Sequence, residues 1–544
     1  MIDFKKLMML IVFFVTTSAF AGVNLKNGNF YISYTDIVVP GSGKKLEITR
    51  TYNSKSTELG WFGFGWGSDY ETHLEVSADG SVVVHENGAG GKTRFTPKNK
   101  VDAVAAAQKI IEAMKAKAEL SGKSEKDLLD RLVGNAELRH AYALNFGVKT
   151  QLAAGTILYS NQRGLQQVQK LKSGYKRSMA DGKEQMFDES GKLVKINDQN
   201  NYSIDIAYSK SGKVETIKDN MAKQLYFEWF PDGRVKHIWS AGDKKTAYKY
   251  NEKDLVYSKD ISGNEYNYTY KSNHYLSKIE YSDKTALEIA YDPKTFFVAS
   301  LKDRGGEETK YKYESDPKNS DFHYWTFVTK PGFDGKPVTN RYEYEIKNKP
   351  DGSLYTYRIL TEVSGVKTET IYSECCSLPL KIARGSHVTT FEYNEDGLLT
   401  KKSSTKGDFV NIEYNKDIKK ISKVVNNQGW TQFSYDAKGN LEKAVNSEGK
   451  AVLLVYDSNG KITKMVDNDS KTKSKRTLAF KYNSIGKPVE IAMDAVGQIN
   501  VSYDNYGEIK KVQSKAGHKM ALQVTQAFQN LLSIVKPAGV NLNL

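Results

Sequence analysis

The chain has 544 residues, 39% of them hydrophobic and 11% aromatic, with 42 Gly, 11 Pro, two Cys and a formal charge of +15. That is long enough for a sizeable core, too apolar for wholesale disorder and too poor in cysteine for a disulfide scaffold. The lysines are spread between apolar strand positions, so the positive charge reads as a solvated face, and specific nucleic-acid binding is not expected.

Residues 1–21 read as a removable export signal. Lys5 and Lys6 precede an apolar run from Leu7 to Val15, and Ala19-Phe20-Ala21 offers a small-x-small site with cleavage before Gly22. The run is short for a bilayer span. The segment carries two Lys and one Asp, so its removal takes the formal charge from +15 to +14. No later stretch resembles a membrane span. The expected product is exported to the periplasm, outer surface or exterior, without a transmembrane anchor.

Residues 22–100 form an N-terminal β region. Within it Trp61, Phe62, Phe64 and Trp66 alternate with glycines. They could present an aromatic platform to sugar rings, but large apolar side chains more often belong inside, and a core plug is the favoured reading. Residues 101–147 interrupt the β pattern. Val104, Ala107, Ile111, Met114 and Ala118 fit one helical stripe, Ser121-Gly122 can end it, and Ser124 with Asp127 can cap a second helix. Leu138, Ala141 and Tyr142 fit a third, so a small helical insertion is expected.

Residues 148–517 carry the strongest signal. Aromatic side chains close short alternating stretches at Phe187, Tyr208, Trp229, Tyr250, Tyr270, Tyr291 and Tyr313, then at Tyr393, Tyr414, Tyr435, Tyr456, Tyr482 and Tyr503. Most steps are 20–22 residues, and the 80-residue interval from 313 to 393 is close to four degenerate units. Ile204, Ile206 and Tyr208 alternate with Asp205 and Ala207, which places them on one face of a strand. Glycines four residues after the anchors, such as Gly191, Gly212 and Gly439, suit turns that need a positive φ. Each unit is a hairpin, marginal alone, so neighbours must extend a common sheet. A β-propeller competes, with its four-stranded blades, but no doubled period supports it. Residues 518–544 complete the chain, with Met520, Val524, Ala527, Phe528, Leu531 and Val535 forming a helical stripe over 518–536 that Pro537 can end.

The phased turns Tyr291-Asp292, Tyr393-Asn394-Glu395-Asp396-Gly397, Tyr435-Asp436-Ala437-Lys438-Gly439 and Tyr456-Asp457-Ser458-Asn459-Gly460 resemble those of the Rhs/YD-repeat family. Asn27-Gly28-Asn29, Thr35-Asp36, Arg50-Thr51-Tyr52-Asn53-Ser54 and Gly65-Trp66-Gly67 resemble that family's N-terminal region. The resemblance covers most of residues 24–96 and 155–515. It implies a mainly β fold in which hairpins form a spiralling, curled sheet or partial shell. In toxin systems of this family the shell can enclose a C-terminal effector, but the roughly 40 residues after Tyr503 are too few for an ordinary toxin domain.

Chemistry-bearing clusters are sparse. Cys375 and Cys376 are adjacent, so a redox pair there would need a strained bridge. The eight His residues, at 73, 85, 140, 237, 274, 323, 387 and 518, show no HExxH or tight ligand spacing. Acidic residues near turns, such as Asp181, Asp188, Asp232, Asp292, Asp436 and Asp457, have a structural use in bonding local backbone. No catalytic residue, metal or cofactor is assigned. The leading expectation is an exported non-enzymatic scaffold that binds an envelope polysaccharide or protein. The alternatives are a carbohydrate-active or proteolytic enzyme with a groove built from distant repeats, and a shell around a separately encoded protein.

Overall fold

The computed structural model describes residues 20–535 except 40–43, 89, 98–100, 121–124, 161–165, 180–181, 199–201, 243, 333–334, 350–353, 375–376, 459, 484–486, 494–495, 504–508 and 515–516. The expected cleavage signal, the cap at Ser124, Asp181 and the cysteine pair therefore lie outside the described residues, apart from Phe20 and Ala21, which open a strand running to Asn24.

The fold is the mainly β hairpin array expected. Among the described residues, nine strands from Ile157 to Trp239 and 24 strands from Ala247 to Ser514 form two sheets in which every strand pairs with the next in sequence. A bridge between Trp239 and Lys245 joins them. Among the described residues the first and last strands do not pair with each other, so the array is open.

One recurring lock sets its register. The Tyr208 hydroxyl donates to the Leu193 carbonyl at 2.7 Å, and Leu193 lies opposite the preceding anchor, Phe187. The same bond runs from Tyr250 to Val235, Tyr270 to Leu255, Tyr291 to Leu276 and Tyr414 to Leu399. It recurs from Tyr393 to Pro379, Tyr435 to Ile421, Tyr456 to Leu441, Tyr482 to Ile462 and Tyr503 to Pro488. Trp229 makes it with its indole N–H, to Val214. Each anchor thus bonds the carbonyl opposite the anchor before it. Burial raises the hydroxyls of Tyr414, Tyr435 and Tyr456 to about 12, so they remain protonated donors at neutral pH.

The ladder also shifts register at the anchors, as between Ala207 and Tyr208 or Ser434 and Tyr435. Such bulges bend the strand and increase its twist, which coils the array. The acid or amide after the anchor then closes the turn: Asp188, Asn394, Asp436, Asp457 and Asn483 each accept the backbone N–H four residues on.

Tyr313 is the exception among the tyrosine anchors. Its strand pairs without a register shift, and its buried hydroxyl has no partner. The interval to Tyr393 holds three units rather than the four expected. Register shifts before Ile346 and Tyr372 mark the two intervening anchors. The strands His323–Pro331, Pro337–Asn348 and Leu354–Val363 have nine, 12 and ten residues, so fewer hairpins fill the same length.

The insertion forms α1 (Ala103–Ala116), α2 (Glu125–Gly134) and α3 (Ala136–Phe146). Asp102 and Asn135 cap α1 and α3 by accepting the Ala105 and Leu138 N–H groups. Ala106, Ala107, Ile110, Ile111 and Met114 make the buried face of α1, whereas Val104 is 48% exposed and Ala118 lies beyond the helix. Helix α4 (Gly517–Val535) buries Met520, Ala527, Leu531 and Ile534 against the last hairpins.

The lock makes a discriminating prediction. Tyr435→Phe strands a carbonyl and should lower stability by about 1–2 kcal/mol, while Tyr313→Phe removes an unpartnered hydroxyl and should cost nothing measurable. Equilibrium denaturation of the two variants checks this; equal losses would remove the lock from the account.

Candidate interaction surface

The array has an inner face because the N-terminal β region lies against it. Its centre is a fully buried pair, in which Arg50 Nε donates to Asp36 Oδ2 at 2.7 Å. Arg50 Nη2 donates to Ser258 Oγ and Tyr268 Oη of the array, each at 2.7 Å, and the Tyr248 hydroxyl donates to Asp36 at 2.8 Å. The guanidinium also lies over the Trp66 and Tyr34 rings. Arginine and aspartate from the N-terminal region thereby find partners on two repeat hairpins. Burial pushes the Asp36 carboxyl up, against the pull of Arg50, and raises the Tyr248 and Tyr268 hydroxyls.

Backbone bonds stitch the same region along successive units. Leu74 donates to Gly191, Val235 to Trp61, Phe64 to Lys253, Ile261 to Asp36 and Val298 to Gly28. Gly191 has a φ of +87°, and a Cβ there would sit 1.9 Å from the Leu74 carbonyl oxygen, so this junction needs glycine. The contacts end where Thr326 donates to the Leu25 carbonyl and Lys26 reaches Thr356.

The four aromatics considered as a sugar platform belong to this plug. Phe62 and Trp66 are fully buried, and the Trp66 indole donates to Tyr270. Trp61 packs edge-on against Phe227 and Trp229, and Phe64 lies 4.3 Å from the His274 ring. Their apolar rings have array partners to cover them, so they form no open platform.

At the other end α4 covers the inner face. Leu454, Met465 and Leu478 are buried on the strands it packs against, and Val410, Ile412, Val424 and Phe433 continue the same buried cluster over the hairpins before them. Arg476 donates to Asp467 and to Gln526 of α4, and Asn530 donates to the same Asp467, which fixes the helix by polar bonds as well.

Between the two covers the inner face is bare. Among the described residues from 345 to 409, none is buried. Successive strand partners form a row across it, Tyr344–Ile359–Thr370–Ile382–Thr389–Ser404, and a second row runs Tyr342–Thr361–Thr368–Arg384–His387. At the α4 side this strip deepens into a hollow of about 320 Å³, lined by His387, Thr389, Lys402, Ser404, Val410 and Asn426.

The outer face of the same strands is different in chemistry. His323 Nε2 lies 2.9 Å from Glu343, and Glu343 and Glu345 stand close enough to it to hold an ion. Arg358 pairs with Glu345 and Glu369, and Arg341 pairs with Glu343. Arg341 and Arg358 already supply cations to these carboxylates, and the Glu343 carboxylate holds the His323 pKa above the usual imidazole value. This group is an ion-pair network. A second gathering brings His73, Glu75 and His85 together in the N-terminal region. Among the described residues, no helix is long and apolar enough to cross a membrane.

Residues 21–95, the plug itself, match the family described as domain of unknown function DUF6531. The tRNA3(Ser)-specific nuclease WapA of Bacillus spizizenii is 37% identical over 76 residues, which is 14% of this chain and 3% of that protein. A crystal structure of TcdB2-TccC3-TEV aligns over 90% of this chain and 30% of its own, at 9% identity and a TM-score of 0.36. The Photorhabdus luminescens Tc holotoxin pore aligns over 89% and 29%, also at 9% identity and 0.36. The chain thus spans under a third of each of these proteins.

Removing one partner of the buried pair should be costly. Arg50→Met leaves Asp36 uncompensated and should destabilise the chain by about 3–5 kcal/mol, whereas Asp36→Leu combined with Arg50→Met should cost less than the two single changes added together. A double-mutant denaturation cycle measures this, and additive losses would contradict the coupling.

Proposed function

We propose that this chain is an exported, non-enzymatic repeat scaffold of the shell type, whose bare inner strip receives a separately encoded polypeptide. The observation that carries the reading is the strip itself. The N-terminal plug meets the array as far as Tyr344, where Lys26 lies over the ring, the buried cluster that includes α4 begins at Val410, and no described residue between 345 and 409 is buried. A face that the chain seals on both sides and leaves open between is suited to an outside segment.

Its chemistry favours a polypeptide over a polysaccharide. Ile359 and Ile382 offer apolar contact, while Thr361, Thr368, Thr370 and Thr389 offer hydroxyls that donate and accept. Sugar recognition would draw on open aromatic faces; the four-residue aromatic cluster is already packed against the array, and Tyr342 and Tyr344 stand at the plug end of the strip, where Lys26 lies over the Tyr344 ring. An enzymatic reading draws less support, because the carboxylates gathered on these strands lie on the outer face and are paired with Arg341 and Arg358. The DUF6531 plug and the phased tyrosine turns support placement in the Rhs/YD-repeat family. Export rests on the charged and apolar segment before Gly22.

The test is binding by calorimetry between the purified chain and the purified products of adjacent genes. Ile359→Lys and Thr370→Lys, on the inner face, should each weaken a complex at least tenfold with the circular dichroism spectrum unchanged. Ile371→Lys, on the outer face, should leave it intact. Equal losses from both faces, or saturable binding to a glycan array in place of protein, would overturn the reading.

A further inference from the structure

The hairpin of strands His73–Val76 and Val82–Glu86 sets His73 directly opposite His85, and their rings stack with centroids 4.4 Å apart. Glu75, two residues on from His73, shares that face by strand alternation. Helix α3 of the insertion brings His140 to the same point, with its Nε2 3.6 Å from Glu75 Oε2. Thus three imidazoles and one carboxylate converge from two parts of the chain.

The hydrogen bonds around this group fix which nitrogens are free. His73 Nδ1 lies 3.1 Å from the Glu71 carbonyl oxygen, which can only accept, so Nδ1 carries the proton and Nε2 is left with its lone pair. His85 Nδ1 lies 3.2 Å from Glu58 Oε1 and in the same way donates to a carboxylate. An imidazole oriented by an acceptor behind it is the usual arrangement of a metal-bound histidine.

In that tautomer His85 Nε2 and Glu75 Oε2, 2.9 Å apart, face each other as two lone-pair donors. Such a contact needs a cation between or beside them. A proton on His85 Nε2 would satisfy that contact. It would do nothing for His140, whose side chain is 1% exposed, whose Nε2 lies 3.6 Å from the same Glu75 oxygen and whose two ring nitrogens make no aligned hydrogen bond. Burying an imidazole with neither nitrogen satisfied is costly unless another ligand meets it.

We propose that His73, Glu75, His85 and His140 bind one divalent transition-metal ion, with zinc the best match to three imidazoles and a carboxylate. The ligand atoms of His73, Glu75 and His85 lie within 4.8 Å of one another. Bonds of about 2.0–2.2 Å to a tetrahedral ion bring ligands to roughly 3.3 Å apart, so closing the site requires the stacked His73 and His85 rings to rotate out of their stack and His140, which lies outside that group of three, to move in. The ion is structural. It fastens α3 of the insertion to the plug, beside the bridge between His73 and Lys192 where the first repeats attach.

The experiment uses the full chain, free of any histidine tag, equilibrated with zinc sulfate and then dialysed. Elemental analysis should find about one zinc per chain, and X-ray absorption should show nitrogen and oxygen ligands with imidazole scattering. His73→Asn and His85→Asn should lower zinc affinity at least tenfold, and chelation should lower the melting temperature of the parent chain but not of His140→Asn. Because His140 is buried, the half-buried His73 variant keeps the test independent of folding. No retained zinc, or equal retention by all three variants, would overturn the site.

Discussion

The architecture depends on one hydrogen bond made again and again. A hairpin has little to hold it to its neighbour beyond the ladder, and a ladder alone tolerates slippage. The anchor hydroxyl removes that freedom by binding the carbonyl opposite the previous anchor, as Tyr456 does at Leu441 and Tyr435 at Ile421. The register shift at each such position adds twist, so the residue that fixes register also marks where the sheet bends.

Where the lock lapses, the array changes character. Tyr313 has no hydroxyl partner, Ile346 has no hydroxyl, and the strands between them lengthen. The same stretch begins the strip that neither the N-terminal plug nor α4 covers. Longer strands with half-exposed inner residues keep the sheet continuous there while leaving side chains free to meet another surface. The two covers are made of different material, a buried Arg50–Asp36 pair ringed by aromatics at one end and an amphipathic helix at the other. Both do the same physical work of removing the inner face from water.

Much of this was legible in the sequence. The 20–22-residue spacing of the aromatics defined the hairpins, because alternation and turn chemistry act locally. The stripe on α4 was equally local. What escaped was contact between distant segments. The spacing could not show that Asp36 and Arg50 meet Tyr248 and Tyr268, nor that Phe62 and Trp66 face the array. The interval from 313 to 393 appeared to hold four units because a fixed period was applied where strand length itself changes. The histidines looked scattered because His140 arrives on a separate helix. A signal did exist at His73, Glu75 and His85: once those strands are paired as a hairpin, the alternation and the cross-strand register place all three together.

The central claim is that the chain seals its own inner face at both ends and leaves the middle to a partner. Hydrogen–deuterium exchange along the isolated full chain tests it most directly, since local opening follows the loss of buried apolar contact. The account predicts slow exchange in strands between Leu193 and Val298 and between Val410 and Leu478, with markedly faster exchange from Leu354 to Tyr393. Uniform protection across all three stretches, or the slowest exchange in the middle one, would contradict it.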